Sequence, residues 1–445
     1  MLRSEKIKIL GSCLAGSVLE WFDFAVYGYL TPVIAARFFP AGDQLASILL
    51  TYAVFAIGFL FRPLGAIFFG YIGDRLGRKS ALVWSSLFMA LPTFAIGLLP
   101  TYESWGIAAP LLLILCRIFQ GMSIGGEFTG SFIYLVEQGA PGKKGFYSCF
   151  ADLGCSSGML LGSLCVALLN YLLTPGDVAL FGWRLPFLSG ILLSLVALYM
   201  RSGLTESVEF SAVNLPQKAP LQDIFTRFPR EFIFGTLLLA INSLGFYILV
   251  VFIPNHAFAL RASALQAGAV SGSSPYLMNV LVLGVLMVAT FVSAVLCDVY
   301  DSAKLYLGGI ISCILLSYPV FYALHHFNLA GQAFMTALLA VAIGFCFGPR
   351  PLFLVSIFPP AVRYSAIALA LNIANGFLGG LAPLTATWLI AKTGTIESVA
   401  VMVFLAATVA LVGMLGLLRS RGISESLVIA SVSEDSPLPP RFVWR

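Results

Sequence analysis

TYAVFAIGFLFRPLGAIFFGYIGDRLGRKSALVW, residues 51–84, reads as an apolar helix, a tight basic turn and a second apolar helix. The turn, GDRLGRK, runs from Gly73 to Lys79, and its two glycines permit a sharp, close-packed reversal. Arg75, Arg78 and Lys79 put positive charge beside a membrane, which marks a cytoplasmic face. Asp74 follows the incoming helix, where a carboxylate pairs with those cations or caps the next helix.

The rest of the chain agrees with a membrane reading. Of 445 residues, 59% are hydrophobic and 10% are charged, against about 25% charged in soluble proteins. A spanning helix takes about 20 apolar residues, so this length holds roughly a dozen spans with short loops. The formal net charge of +5 is no nucleic-acid signal, because the cations cluster at helix ends. A lipid bilayer is the expected surroundings, and no nucleic-acid partner is expected. The eight cysteines lie in or beside apolar segments, form no Cys-x-x-Cys pair and have three histidines to help them. They read as packing residues rather than metal ligands or disulfides. Glu20 and Asp23 interrupt the first apolar run, which argues against a signal peptide. There is no Walker phosphate loop, and GMSIGG at 121–126 lies inside an apolar helix as a packing surface. Neither an enzyme, nor an ATP-driven pump, nor a bound cofactor is expected.

The expected fold is all-α and polytopic, with twelve transmembrane helices in two six-helix bundles. The spans fall near 9–36, 46–72, 80–100, 107–138, 146–172 and 184–203, then 230–258, 273–297, 305–324, 331–357, 365–391 and 396–418. Residues 1–204 and 230–419 make the two bundles, 205–229 a cytoplasmic linker and 420–445 a cytoplasmic tail. With both termini inside, eighteen of 25 Lys and Arg fall on the cytoplasmic side. CDVYDSAK, 297–304, stands in the second half where GDRLGRK stands in the first, so Asp298 matches Asp74. Parallel repeats of this kind are the build of a two-bundle transporter.

Charge inside hydrocarbon costs about 2.5–3.5 kcal/mol on insertion scales, so intramembrane ions are the sharpest functional clues. Glu20, Asp23 and Tyr27 share one helical face by their spacings of three and four. The fourth helix carries Arg117 and Glu127, with Gly121, Gly125 and Gly126 for close approach. Together Glu20, Asp23, Tyr27, Arg117 and Glu127 suit a central cavity in which a carboxylate takes up a proton when desolvated and releases it when an arginine approaches. The alternative is that these ions hold helices together. Glu137, near the cytoplasmic end, reads as a partner for loop cations. Arg62, Asn242, Tyr247, Arg350, Asn372 and Asn375 are possible substrate contacts, and interhelical hydrogen bonding is the alternative for the amides. The tryptophans read mostly as interfacial belt or packing residues.

The motifs LEWFDFAVYGY, FRPLGAIFFGYIGDRLGRK, RIFQGMSIGGEFTGSFIYLVE, GWRLPFL, LTESVEF and FPPAVRYSA occur in that order. In this the chain resembles the metabolite:proton symporter family of the major facilitator superfamily, whose members carry proline or betaine, dicarboxylates, citrate or shikimate. The resemblance implies secondary active transport in a bacterial inner membrane by alternating access. It implies a small-molecule substrate and a proton as partners; a monomer is the expected working unit. It also implies that Asp74, Arg75, Gly77 and Arg78 form the inner gating loop. The expected substrate is a small polar metabolite, with osmolytes such as proline or betaine ahead of organic acids. Efflux of a drug or siderophore, and a non-transporting membrane receptor, on the same fold are the remaining alternatives. The second repeat lacks most of the basic pattern, so the inner gate is expected to be asymmetric.

Overall fold

The computed structural model describes residues 3–40, 42–76, 78–138, 142–202, 220–257 and 274–432. Among them there are helices and short connections, and no strand. The first part holds α1 (Arg3–Tyr29), α2 (Thr31–Phe38), α3 (Gln44–Leu60), α4 (Arg62–Leu76), α5 (Arg78–Leu98), α6 (Tyr102–Trp105), α7 (Ala108–Gln138), α8 (Lys144–Leu172), α9 (Pro175–Asp177) and α10 (Arg184–Ser202). The second holds α11 (Pro220–Arg227), α12 (Pro229–Leu238), α13 (Ala240–Tyr247), α14 (Ser274–Leu296), α15 (Ser302–His326), α16 (Leu329–Phe347), α17 (Arg350–Ile357), α18 (Pro360–Ile373), α19 (Ala382–Thr393) and α20 (Ser398–Val432).

Nine stretches among the described residues are long and apolar enough to cross a membrane. They correspond to every predicted span except the first, third and sixth. Those three are α1, the apolar part of α5 at Val83–Leu98, and α10. The chain is a multi-pass membrane protein.

Several predicted spans are not single straight helices. The second is split into α3 and α4 at Phe61, directly before Arg62 and Pro63. Pro63 has no N–H to give and restarts the helix. The seventh and eleventh each contain a π-helical turn, at Ile248–Phe252 and Ala374–Gly379. Within GDRLGRK, α4 continues through Leu76 and α5 begins at Arg78, while residue 77 lies outside the described residues. Two further expectations meet the structure only in part. Within the range expected as linker, α11 occupies Pro220–Arg227, while 203–219 lie outside the described residues. The last helix runs to Val432, past the predicted start of the tail at 420, and 433–445 lie outside the described residues.

Packing follows residue size. Among the first six spans, α1 lies along α8, α5 along α10, and α4 along α7; among the last six, α16 packs between α14 and α15, and α20 against α12 and α15. The two sets meet where α14 runs beside α8, and where α18 and α19 approach α7, α4 and α3. Glycines set the closest of these distances. A Cβ added at Gly121 would overlap the Gly58 carbonyl, and one at Gly125 would overlap the Arg62 carbonyl. This brings the backbones of α3 and α4 directly onto α7, so that dispersion and main-chain dipoles, rather than hydrophobic exclusion, hold them.

Gly121→Ala is therefore expected to destabilise the protein by about 1–3 kcal/mol through overpacking. Gly284→Ala, where an added Cβ meets nothing within 4 Å, serves as the control. Thermal unfolding in detergent checks this, and equal melting temperatures for the two variants would remove the close-approach argument.

Candidate functional site

The predicted polar residues gather in two places. The first lies wholly within the first six spans. Asp23 of α1 and Arg117 of α7 form an ion pair at 3.0 Å, with both side chains 0% exposed. The same Arg117 nitrogen donates to the Gln120 carboxamide oxygen at 2.7 Å, and Gln120 donates to the Thr93 hydroxyl at 2.9 Å. The Tyr27 ring lies beneath the guanidinium, 3.7 Å from its central carbon. The Tyr27 hydroxyl is used elsewhere, donating to the Thr51 carbonyl at 3.1 Å. Three helices thus contribute to one desolvated pair. Such a pair is costly to bury, and more costly to break by removing one partner.

The second place lies where the first and last six spans meet. Arg62 donates through Nε to the Asn372 carboxamide oxygen at 3.2 Å, and Asn372 donates to the Gly125 carbonyl at 3.0 Å. Glu20 and Tyr247 lie within electrostatic reach of Arg62. Arg350, at the start of α17, forms an ion pair with Asp152 of α8. Its guanidinium sits over the Phe347 ring at 4.6 Å and 6.0 Å from that of Phe128. Cys155 is within electrostatic reach of Asp152, Arg350, Glu20 and Arg62. Two cations and two carboxylates are therefore held together in the middle of the protein.

Aromatic rings join these charges. Trp21 stacks on Tyr247 at 6.2 Å and meets Phe246 and Phe128 edge-on at 5.6 and 6.2 Å. Tyr247 meets Phe59 at 5.0 Å, and Phe246 meets Phe347 at 5.5 Å. The π-helical turn that follows Tyr247 packs against α1, and the one at Ala374–Gly379 packs on α13 and α3. Trp21, Phe128, Tyr247 and Phe347 thus span the junction between Arg62 and Arg350.

The predicted residues divide accordingly. Asp23, Tyr27 and Arg117 come together. Glu20, though on the same helix face, lies with Arg62. Arg62, Tyr247, Arg350 and Asn372 belong to the central group. Asn375 accepts from Ser243 at 2.8 Å, and Asn242 accepts from the Tyr306 hydroxyl; both bonds stay within the last six spans. Glu127 sits on α7 with its side chain outside the described residues. Asp74, Arg75 and Arg78 occupy helical backbone with side chains outside the described set, and Gly77 lies outside it altogether. Sequence reasoning missed Asp152, a lone carboxylate in the apolar run FADLGCSSGMLL that was legible as such. It also missed Trp21 and Phe128 as site residues, because their chemistry is indistinguishable from packing until partners are known.

Both ends of the junction are tied. At one end, the Asp298 carboxylate accepts from the backbone N–H groups of Gly145 and Phe146 at 2.7 and 3.1 Å. It caps the start of α8 from across the junction. Glu137 pairs there with Arg363 at 2.7 Å, a cation of the first turn of α18 and not the loop cation that was expected. At the other end Asn255 donates to the Gly28 carbonyl at 2.5 Å. His325 contacts Glu397 at 2.8 Å at that same end. Although desolvation opposes it, a backbone hydrogen bond and His325 hold the Glu397 carboxyl below its ordinary pKa.

A family model described as "Sugar (and other) transporter" matches residues 9–218 and 264–424. The proline/betaine transporter of Escherichia coli (strain K12) is 31% identical over 418 residues, which cover 91% of this chain and 82% of that protein. The inner membrane metabolite transport protein YhjE of the same strain is 34% identical over 393 residues, covering 86% and 87%. A putative proline/betaine transporter of Staphylococcus aureus (strain COL) is 33% identical over 389 residues, covering 85% and 81%. Among solved structures, a D-xylose-proton symporter superposes with a TM-score of 0.73 at 18% identity, covering 91% of this chain and 97% of that one.

For the first ion pair, Asp23→Ala and Arg117→Ala are each expected to destabilise the fold by about 3–5 kcal/mol, because each leaves a buried charge alone. The double variant is expected to be more stable than either single. Chemical or thermal unfolding of the purified protein checks this, and a strictly additive loss would mean that the two side chains do not act as a pair.

Proposed function

Since this chain belongs to the sugar (and other) transporter family, and with it to the major facilitator superfamily, we propose that it carries a small zwitterion, of the proline or betaine kind, together with a proton. The family membership makes it a secondary transporter of small molecules and not an enzyme. The zwitterion rests on one observation: the aromatic residues at the junction lie between Arg62 and Arg350, with Glu20 and Asp152 beside them. An aromatic surface attracts a quaternary or secondary ammonium by about 0.5–2 kcal/mol or more when desolvated. An arginine fork suits a carboxylate. A site with both signs of charge suits a molecule with both. The names of the relatives in Escherichia coli and Staphylococcus aureus favour the same class. The two arginines also give an organic acid some support, as the second reading.

In this proposal residues 1–204 and 230–419 rock against each other as six-helix bundles, joined by the linker 205–229 and followed by the tail 420–445. Asp298, with the Glu137–Arg363 pair and the residues Asp74, Arg75, Gly77 and Arg78 of the expected gating segment, closes the inner side. Asn255 closes the outer side. Asp23 is the proton carrier, set against Arg117 away from the substrate's charges, with Glu127 as the second candidate. A carboxylate placed this way accepts a proton when its guanidinium withdraws and loses it when the guanidinium returns. The protein works as a monomer in a bacterial inner membrane with both termini in the cytoplasm.

Purified protein in liposomes is expected to accumulate betaine or proline when the interior is alkaline, and to lose that accumulation with a protonophore. Asp23→Asn is expected to abolish accumulation while retaining exchange of labelled for unlabelled substrate. Trp21→Ala is expected to raise the betaine KM about tenfold, the scale of one desolvated cation–π contact. Uptake of citrate or a dicarboxylate with none of betaine or proline would move the assignment to the organic-acid reading.

A further inference from the structure

Asp152 and Arg350 form a buried ion pair that joins the first six spans to the last six. The Asp23–Arg117 pair stays inside one set of helices, and the Glu137–Arg363 pair is partly exposed. Among the described residues, then, Asp152–Arg350 is the ion pair that is both dry and placed across the junction. Neither side chain uses its full bonding capacity: the second Asp152 oxygen and the Arg350 Nε are buried without a hydrogen-bond partner among the described residues. The pair also touches the aromatic group directly, through Phe347 and Phe128.

Bundles that rock must separate at this level, and a separated pair would leave two charges with poor company. Breaking a buried pair is expensive for that reason. A ligand carrying a carboxylate removes the expense on one side, because it offers Arg350 the same bonds that Asp152 offers. An ammonium on the same ligand then replaces the guanidinium as the neighbour of Asp152. We infer that Arg350 is the carboxylate receptor of the transport site, and that Asp152 is the internal counter-ion which the substrate's carboxylate displaces. This rests on the zwitterion reading above and adds to it. The empty carrier is latched by Asp152–Arg350, and the loaded carrier by substrate bonds in its place. Arg62 is less suited to this exchange, since its Nε is held by the neutral amide of Asn372 and not by an ion pair across the junction.

Cys155 supplies a native reporter. It lies one turn from Asp152 on the same helix face and is 3% exposed. The experiment measures the rate of N-ethylmaleimide alkylation at Cys155 in the reconstituted full-length protein, by peptide mass spectrometry. Cys313, buried in α15, reports global unfolding. Asp152→Asn and Arg350→Gln are each expected to accelerate Cys155 alkylation about tenfold without changing Cys313, as loss of a buried inter-bundle pair requires. The double variant, which leaves no orphan charge, is expected to match the singles within about twofold, because the two act as a unit. Asp152→Glu is expected to keep the slow rate.

In the wild-type protein, betaine and proline are expected to change the Cys155 rate at least about threefold, while choline, which has the cation but no carboxylate, is not. Wild-type rates in both single variants would overturn the latch. A choline effect equal to that of betaine would overturn the exchange on Arg350. Betaine uptake in the same vesicles separates the two possible failures. Uptake with no change at Cys155 overturns the exchange. Absence of uptake removes the osmolyte reading and leaves the latch to be judged by the single variants.

Discussion

The central constraint on this molecule is that an ion in hydrocarbon needs another ion or a set of dipoles within bonding distance. Arg62, Arg117 and Arg350 are all buried, and each has imposed an arrangement on its neighbours. Arg117 gathers Asp23, Gln120 and Thr93 from three helices. Arg62 engages Asn372, which in turn takes the Gly125 carbonyl. Arg350 engages Asp152. The helices can shift only in ways that keep such partners together or supply new ones. Conformational change in this fold is thus a matter of exchanging partners, because a buried ion left without one is costly.

Close backbone contact makes that exchange sharp. Where α7 lies on α3 and α4, glycines leave no soft side chain between the main chains. A rigid contact of that kind transmits displacement instead of absorbing it. Arg62 sits at the start of α4, next to the break at Phe61, and its own carbonyl faces Gly125. The residue that holds charge in the site is also part of the contact that positions α7. Packing and binding are consequently not separable there.

Much of this was legible in the sequence. Low charge, long apolar runs and the basic loop at 73–79 give the membrane class and the placement of the spans, because hydropathy is a property of each segment alone. The pairing of Asp23 with Arg117 was within reach, since few partners exist for a buried ion. The separation of Glu20 from Asp23 was not. Their spacing on α1 puts them on one face, but a turn of helix is enough to present them to different neighbours, and the neighbours come from elsewhere in the chain. Asp152 was overlooked because a single Asp in a long apolar run gives no indication of what it opposes. Trp21 and Phe128 show the opposite difficulty, since aromatic residues are expected in any apolar core, and only the guanidinium groups around them mark these ones out.

The π-helical turns at Ile248–Phe252 and Ala374–Gly379 carry one more consequence. A π turn is in effect one residue inserted into an α-helix, and each residue accounts for about 100° of rotation. The parts of these spans before and after the turn can thus keep their outer packing while their inward faces are set independently. Gain or loss of a single residue at such a turn would re-aim Tyr247 or Asn375 without moving the helix axis. Carriers built on this frame have a small mutational step by which the chemistry of the interior diverges while the architecture persists.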